Sequence, residues 1–145
     1  YKLVKEESYS KSVNKLLTNR ELKNIDYGKY AHYLLEVSNF KEDNNEEIVK
    51  KLLSHEIFKN INNSKIYKEY EFIYDDDNTR KHGIIDLMIE YEDYIDIIDY
   101  KLNNIEDAGY NKQLLGYKKY ITKKSGKKVN TYLYSILENK FKEVK

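Results

Sequence analysis

The sequence predicts an α/β domain with one central sheet flanked by helices, in the order helices, three strands, helix, strand. Three observations carry the prediction. Up to Lys59 the apolar residues recur at helical spacing. Between Ile66 and Lys101 they gather into three short runs rich in aromatic and β-branched residues, the mark of strands. After Ala108 the helical period returns once and then gives way to a last apolar run. On this pattern alone an α+β arrangement stays open beside the α/β one. A chain of 145 residues fits one domain, 1–145, and folding hides roughly 70% of the surface such a chain exposes when unfolded. Residues 1–25 read as a helical lead-in. The chain opens on Tyr1 and not on Met, so it is expected to be a piece of a longer protein.

Residues 10–23 carry Val13, Leu16 and Leu17 at helical spacing, with Ser8 or Ser10 as the cap. A second helix is expected over 29–38, with Ala31, Leu34 and Leu35 on one side. Residues 39–45 are a polar break. Residues 46–59 show a stripe of Ile48, Val49, Leu52, Leu53 and Ile57 with acids in the first turn, which favours a third helix. Residues 60–64 read as a loop and 66–74 as the first strand. Asp75, Asp76, Asp77 and Asn78 form a turn, read as solvated although three adjacent acids can bind a cation. Residues 82–90 and 94–101 are two more strands. Residues 108–124 form a helix closed by Ser125-Gly126. A strand over 129–137 follows, and the last residues pair as an edge. There are no internal repeats and no long linker.

Composition removes several function classes. The chain has no cysteine, which excludes a disulfide framework, a thiolate zinc site and an iron–sulfur cluster and suits a reducing, cytoplasmic setting. No apolar run exceeds three residues, far short of the roughly 20 a membrane span needs. Net charge is +1, so overall charge announces no nucleic-acid partner. The charge is nonetheless segregated. From Glu69 to Asp107 there are thirteen acids against Arg80, Lys81 and Lys101, and from Ala108 to Leu137 seven lysines and no acid. Two readings are open: two solvated faces, or a metal site beside a phosphate-binding surface.

The chemistry gathers on two strands. His82-Gly83-Ile84-Ile85-Asp86-Leu87-Met88-Ile89-Glu90 is apolar on both alternations, as in a central strand covered on both faces. Asp86 stands in its middle, where a carboxylate is costly unless paired or bound to a cation. Asp99 poses the same problem in the next strand. A hairpin with Glu92-Asp93 at its tip sets opposite each other the positions whose numbers sum to 185, and Asp86 and Asp99 are such a pair. Their Cβ atoms are then about 4.5–5.5 Å apart. Like charges there repel, and a divalent cation between them turns repulsion into chelation. Lys101, two residues beyond Asp99, projects from the same face. The bland alternative is that one Asp is protonated, or that Lys101 simply neutralises the pair.

These residues resemble a known signature. Gly83-Ile84-Ile85-Asp86-Leu87 followed by Asp99-Tyr100-Lys101 is similar to the G-x-I-D…D-Y-K pattern of the PD-(D/E)XK nuclease superfamily, in its RecB-like branch. Gly28-Lys29-Tyr30-Ala31-His32, followed by Leu34, Leu35 and Glu36, resembles that branch's G-x-x-x-H helix. Gln113 with Tyr117 resembles its Q-x-x-x-Y helix. Glu69-Tyr70-Glu71-Phe72 is similar to the E-x-P-F strand of AddA-type helicase–nucleases, with the Pro replaced, and Tyr132-Leu133-Tyr134-Ser135 resembles their closing strand. The resemblance spans roughly residues 8–137 and points away from the four-cysteine branches.

The resemblance implies a restriction-endonuclease-like fold, with an αβββαβ core and a central mixed sheet, that cleaves DNA phosphodiesters with Mg²⁺ or Mn²⁺. It implies His32, Asp86 and Asp99 as metal ligands, helped by the backbone carbonyl of Tyr100. Oxygen ligands suit Mg²⁺, and one imidazole admits Mn²⁺. Asp86, Asp99 and Lys101 form the catalytic set, with Lys101 acting on the attacking water and the scissile phosphate. Gln113 and Tyr117, four apart on one helical face, support the site and touch the DNA backbone; ordinary packing is the alternative for both. His55 and His82 match no motif. The partners implied are DNA, the helicase domains of the same parent chain and a second, AddB-like subunit. ATP belongs to the helicase part, since no G-x-x-x-x-G-K-[ST] loop occurs here. Two other readings stay open: an inactive nuclease fold that binds DNA or a partner protein, and a stand-alone phage or restriction-type nuclease.

Overall fold

The computed structural model of the protein describes residues 19–43 and 46–145. The helix expected over 10–23 lies outside them except for its last residues. From Asn19 the chain is one unbroken helix, α1 (Asn19–Val37), so the expected gap between two helices is itself helical. Gly28 sits inside it because a side chain there would meet Leu102, with an added Cβ only 3.3 Å from Leu102 Cδ1.

The helix expected over 46–59 is shorter. Helix α2 (Glu47–Leu53) ends at Ser54, His55 is extended with φ −73 and ψ 147, and two 3-10 turns follow, Glu56–Phe58 and Ile61–Asn63. The apolar stripe is real but turns a corner. Val49, Leu52, Phe58 and Ile61 all reach one core. At the corner the His55 ring packs edge-on against Phe141 and lies 2.8 Å from Asn139 Oδ1. Packing across the fold thus overrides local helical preference.

The strands are β1 (Lys65–Asp76), β2 (Thr79–Glu90), β3 (Tyr94–Lys101), β4 (Lys128–Ser135) and β5 (Lys140–Val144), with α3 (Ala108–Ser125) between β3 and β4. They form one mixed sheet in the order β1-β2-β3-β4-β5, parallel only between β3 and β4. The parallel pair is the one whose connection contains a helix, as a parallel crossover requires. Helix α3 starts on Asp107, whose carboxylate accepts the Gly109 N–H at 2.8 Å, and stops on Gly126 at φ 70. The expected α/β class and mixed central sheet flanked by helices are what is observed.

Two hairpins set the register that matters. The turn expected over 75–78 shrinks to Asp77 and Asn78, both at positive φ (49 and 64), while Asp75 and Asp76 pair with Arg80 and Thr79. Such a two-residue turn matches the twist of its strands, and short polar side chains tolerate its backbone. Glu92 and Asp93 turn β2 into β3, and the Tyr91 N–H donates to the Tyr94 carbonyl at 2.8 Å. The β2–β3 register is the expected one, from Glu90 opposite Ile95 to Leu87 opposite Ile98.

Apolar residues fill both faces of the sheet. Leu87, Ile89, Ile98 and Tyr100 pack in the cluster that holds Ala31 and Leu35 of α1. Ile85, Met88, Ile95 and Ile97 pack in the cluster that holds Leu114, Tyr117 and Ile121 of α3. Ile85 and Leu87 should share a face by strand alternation, yet they lie in different clusters. The pleat therefore changes parity at Asp86. In β1 the same change falls at Glu69: Ile66 packs on the α1 side, Tyr70 and Phe72 on the α3 side. Both residues drop out of the ladder, and Glu69 takes φ 50.

Candidate active site

The ladder fault builds the site. Register puts Asp86 between Glu69 of β1 and Asp99 of β3, so three carboxylates form a row across three adjacent strands. Helix α1 covers the row with His32, whose Nε2 lies 3.1 Å from Asp86 Oδ1. The other oxygen, Asp86 Oδ2, accepts the Tyr100 N–H at 2.8 Å. Lys101 projects beside Asp99, with Nζ 3.0 Å from Asp99 Oδ2 and 4.2 Å from the centre of the Tyr110 ring. One cavity of about 340 Å³ is lined by His32, Asp86, Asp99, Tyr100, Lys101, Gln113 and Tyr117, joined by His82 and Ile84. All seven residues singled out from sequence thus meet in one place.

Their environments differ. Asp86 is 8% exposed. Burial works against its charge, but the hydrogen bonds of His32, of the neighbouring Asp99 carboxyl and of the Tyr100 N–H prevail and hold it at about 2. Asp99 is equally buried and goes the other way. Burial and then the charge of Asp86 push it up to about 7, against the pull of Lys101. Glu69 is also pushed to about 7, by burial first and Asp86 second. His32 is raised, chiefly by its bond to Asp86. Lys101 is raised because the charge of Asp99 outweighs its own burial, so it is an ammonium at neutral pH. The two aspartates, equal by register, are unequal by environment.

Gln113 and Tyr117 come from one face of α3. Tyr117 is 3% exposed and packs against Phe72 and Tyr74. Its hydroxyl accepts the Ile84 N–H at 3.4 Å, and burial keeps its own proton in place. It is a packed wall that still presents a donor to the cavity. Gly83 serves the same wall. Phe72 stands opposite it in the ladder, and a Cβ on Gly83 would fall 2.5 Å from Phe72 Cζ. Two neighbouring strings are therefore mirror partners across one hairpin: Glu69 faces Asp86 and Phe72 faces Gly83.

The donor set suits a hard divalent cation. One ligand atom each from His32, Glu69 and Asp86 lie within 4.8 Å of one another. Two buried carboxylate oxygens, Asp99 Oδ2 and Glu69 Oε2, have no hydrogen-bond donor; Lys101 is near the first in distance but is not directed at it as a hydrogen bond. Buried oxygens without donors are costly in a protein and are what a cation satisfies.

This arrangement has counterparts among known proteins. The chain is similar to part of the AddA-type subunit of ATP-dependent helicase/nuclease. It is 40% identical over 87 residues to that protein from Clostridium beijerinckii, covering 54% of this chain and 7% of the relative. It is 40% identical over 68 residues to the one from Clostridium botulinum, covering 43% of this chain and 6% of the relative. The chain thus spans less than a tenth of the length of either curated relative. No protein-family model matches it.

Two residues of the cavity region carry no role in the sequence reading. His82 is left out there, yet it lines the cavity and lies 3.1 Å from Glu71 Oε2. Glu69 is quoted for its motif without a role. The signal that reaches it is register: a turn centred between Asp77 and Asn78 sets position 69 opposite position 86. Among the described residues no helix is long and apolar enough to cross a membrane.

Proposed function

We propose that this chain is a metal-dependent deoxyribonuclease domain of PD-(D/E)XK type. It hydrolyses DNA phosphodiester bonds as part of an AddA/RecB-like ATP-dependent helicase–nuclease in double-strand-break repair and recombination. One observation carries the reading: His32 from α1, Asp86 from β2 and Asp99 with Lys101 from β3 converge on one open cavity walled by Gln113 and Tyr117. The similarity to the two clostridial helicase/nuclease proteins supports it.

His32, Asp86 and Asp99, with the Tyr100 carbonyl, would hold Mg²⁺ or Mn²⁺. Such a cation, when bound, makes water a better nucleophile and offsets charge on the phosphate. The chain's own residues do the rest. Asp86 stays ionised and is oriented by His32 and the Tyr100 N–H. Lys101 supplies ammonium donors toward the attacking water and the phosphate oxygens. The water oxygen bonds to phosphorus, the bond from phosphorus to the leaving sugar oxygen breaks, and the proton lost by the water balances the one that oxygen takes up. Gln113 and the Tyr117 hydroxyl contact the DNA backbone. The ATP site, the helicase motor and an AddB-like subunit belong to the parent assembly, in the cytoplasm. Net charge near zero means weak DNA binding by this chain alone, with the motor delivering the strand.

The test is nicking of plasmid and single-stranded DNA by this chain with Mg²⁺ or Mn²⁺, against EDTA. Cleavage that appears with the metal and vanishes with EDTA and with Asp86→Asn is expected. A folded wild-type chain that cleaves neither substrate in either metal refutes the reading.

A further inference from the structure

We infer that Glu69 is a ligand of the divalent cation, reaching it from β1 beside His32 and Asp86; this rests on the metal-dependent reading above. Nothing in the sequence motif assigns Glu69 a role, and four observations converge on one.

The first is position. The register that pairs Lys68 with Leu87 and Tyr70 with Ile85 leaves Glu69 directly opposite Asp86, on the side away from Asp99. One ligand atom each from Glu69, His32 and Asp86 fall within 4.8 Å of one another, close enough to share one ion.

The second is the state of the carboxylate. Glu69 Oε2 is buried and has no hydrogen-bond donor. Among the described residues no lysine or arginine forms an ion pair with Glu69. The nearby cationic groups are engaged elsewhere: His32 is bonded to Asp86 and Lys101 is paired with Asp99. The third is charge balance. Ionised Glu69, Asp86 and Asp99 bring three negative charges against the single positive charge of Lys101, and the difference is the charge of one divalent cation.

The fourth is the backbone. Glu69 sits inside a strand at φ 50, a conformation natural to glycine and costly for a residue with a side chain. A structural role would be served better by another residue. A ligand role needs the carboxylate, and it needs it turned out of the ladder, which is what this backbone does.

The experiment titrates the chain with Mn²⁺ alone at pH 8, by calorimetry and by the Mn²⁺-induced rise in melting temperature, for wild type, Glu69→Gln and Glu69→Gly. Wild type is expected to bind Mn²⁺. Glu69→Gln is expected to bind at least tenfold more weakly. Glu69→Gly also removes the backbone cost. It is expected to melt at or above the metal-free wild type, and to lose most of the Mn²⁺-induced rise. Should Glu69→Gln fail to fold, Glu69→Gly decides. Wild-type Mn²⁺ affinity in a folded variant overturns the role of Glu69 and leaves the nuclease reading standing. A wild-type chain that binds no Mn²⁺ overturns both.

Discussion

Asp99→Asn should stabilise the metal-free protein at alkaline pH, and Asp86→Asn should not. Both residues are 8% exposed and adjacent in register. Asp99 holds its proton up to about 7 in the fold, against an ordinary 3.8. The sign follows from proton binding. Between those values the folded state binds the proton and the unfolded state does not, so this group's contribution is complete below about 3.8 and is lost as pH rises through about 7. At pH 8 the ionised group carries an adverse term with a ceiling of roughly 4 kcal/mol. Asn removes that term but strips Lys101 of its counter-charge, so a net gain of about 1–2 kcal/mol is expected, a rise of roughly 3–6 °C in melting temperature. The gain should fade toward pH 5, where wild-type Asp99 is already neutral.

Asp86 runs the opposite way. Its fold holds it at about 2, so its ionised form is stabilising above the unfolded value, and Asn should cost about 1–2 kcal/mol at pH 7. The assay is thermal unfolding in metal-free buffer at pH 5 and pH 8 for the wild type and both variants. Glu69 titrates near the same pH, but it does so in all three proteins, so the differences between them isolate the aspartates. An Asp99→Asn protein that melts below wild type at pH 8, or whose difference from wild type ignores pH, refutes the assignment of a strained carboxylate there.

Four further outcomes are expected. Lys101→Ala should lower cleavage by roughly a hundredfold or more while Mg²⁺ affinity holds or rises; a nicking rate near wild type beside a calorimetric titration would leave Lys101 a mere counter-charge. His32→Ala should weaken Mn²⁺ binding more than folding, since its ring is part-exposed and its main contact is the 3.1 Å approach to Asp86; a variant that unfolds yet keeps Mn²⁺ affinity when stabilised by osmolyte would reverse that. Gly83→Ala should cost about 1–3 kcal/mol, because Phe72 lies 2.5 Å from the added Cβ and is held by Tyr120 at 4.7 Å; an unchanged melting curve would mean the ring moves freely. Asp107→Ala should cost about 1 kcal/mol through the lost cap and leave cleavage per folded molecule unchanged, read by melting and nicking on one preparation.

The hairpin between β2 and β3 was legible because its turn is short and its flanks are strongly apolar. Once Glu92-Asp93 is the tip, the partner of every residue follows by counting, and Asp86 meets Asp99. The first hairpin is open to the same arithmetic, but three acids and an Asn read as a loop of undefined length, so β1 has no register in the sequence reading. Its turn is only Asp77-Asn78, and Glu69 is the residue that this costs. The bend at His55 was illegible for a different reason. The stripe from Ile48 to Ile57 fits a helix on local grounds, and only the ring contacts with Phe141 and Tyr134, far along the chain, turn it aside.

What no counting rule supplies is the change of pleat at Glu69 and Asp86. Period-two alternation forbids a buried carboxylate and its apolar neighbours from each finding a suitable place in one regular strand. The fold resolves this by letting one residue in each strand leave the ladder. Apolar Ile85 and Leu87 then both remain buried, in different clusters, and the two acids are freed to face α1. Register survives on either side, because the omission is matched in both strands. The unequal aspartates follow from this geometry. Asp86, at the fault, gains the Tyr100 N–H and His32 as partners and is content as an anion. Asp99 keeps its place in a regular strand beside β4, gains only Lys101, and is left a buried charge in want of a cation. A local rule broken in two facing strands, each at a carboxylate, separates a site from a defect: the residues that leave the ladder are the ones with chemistry to do.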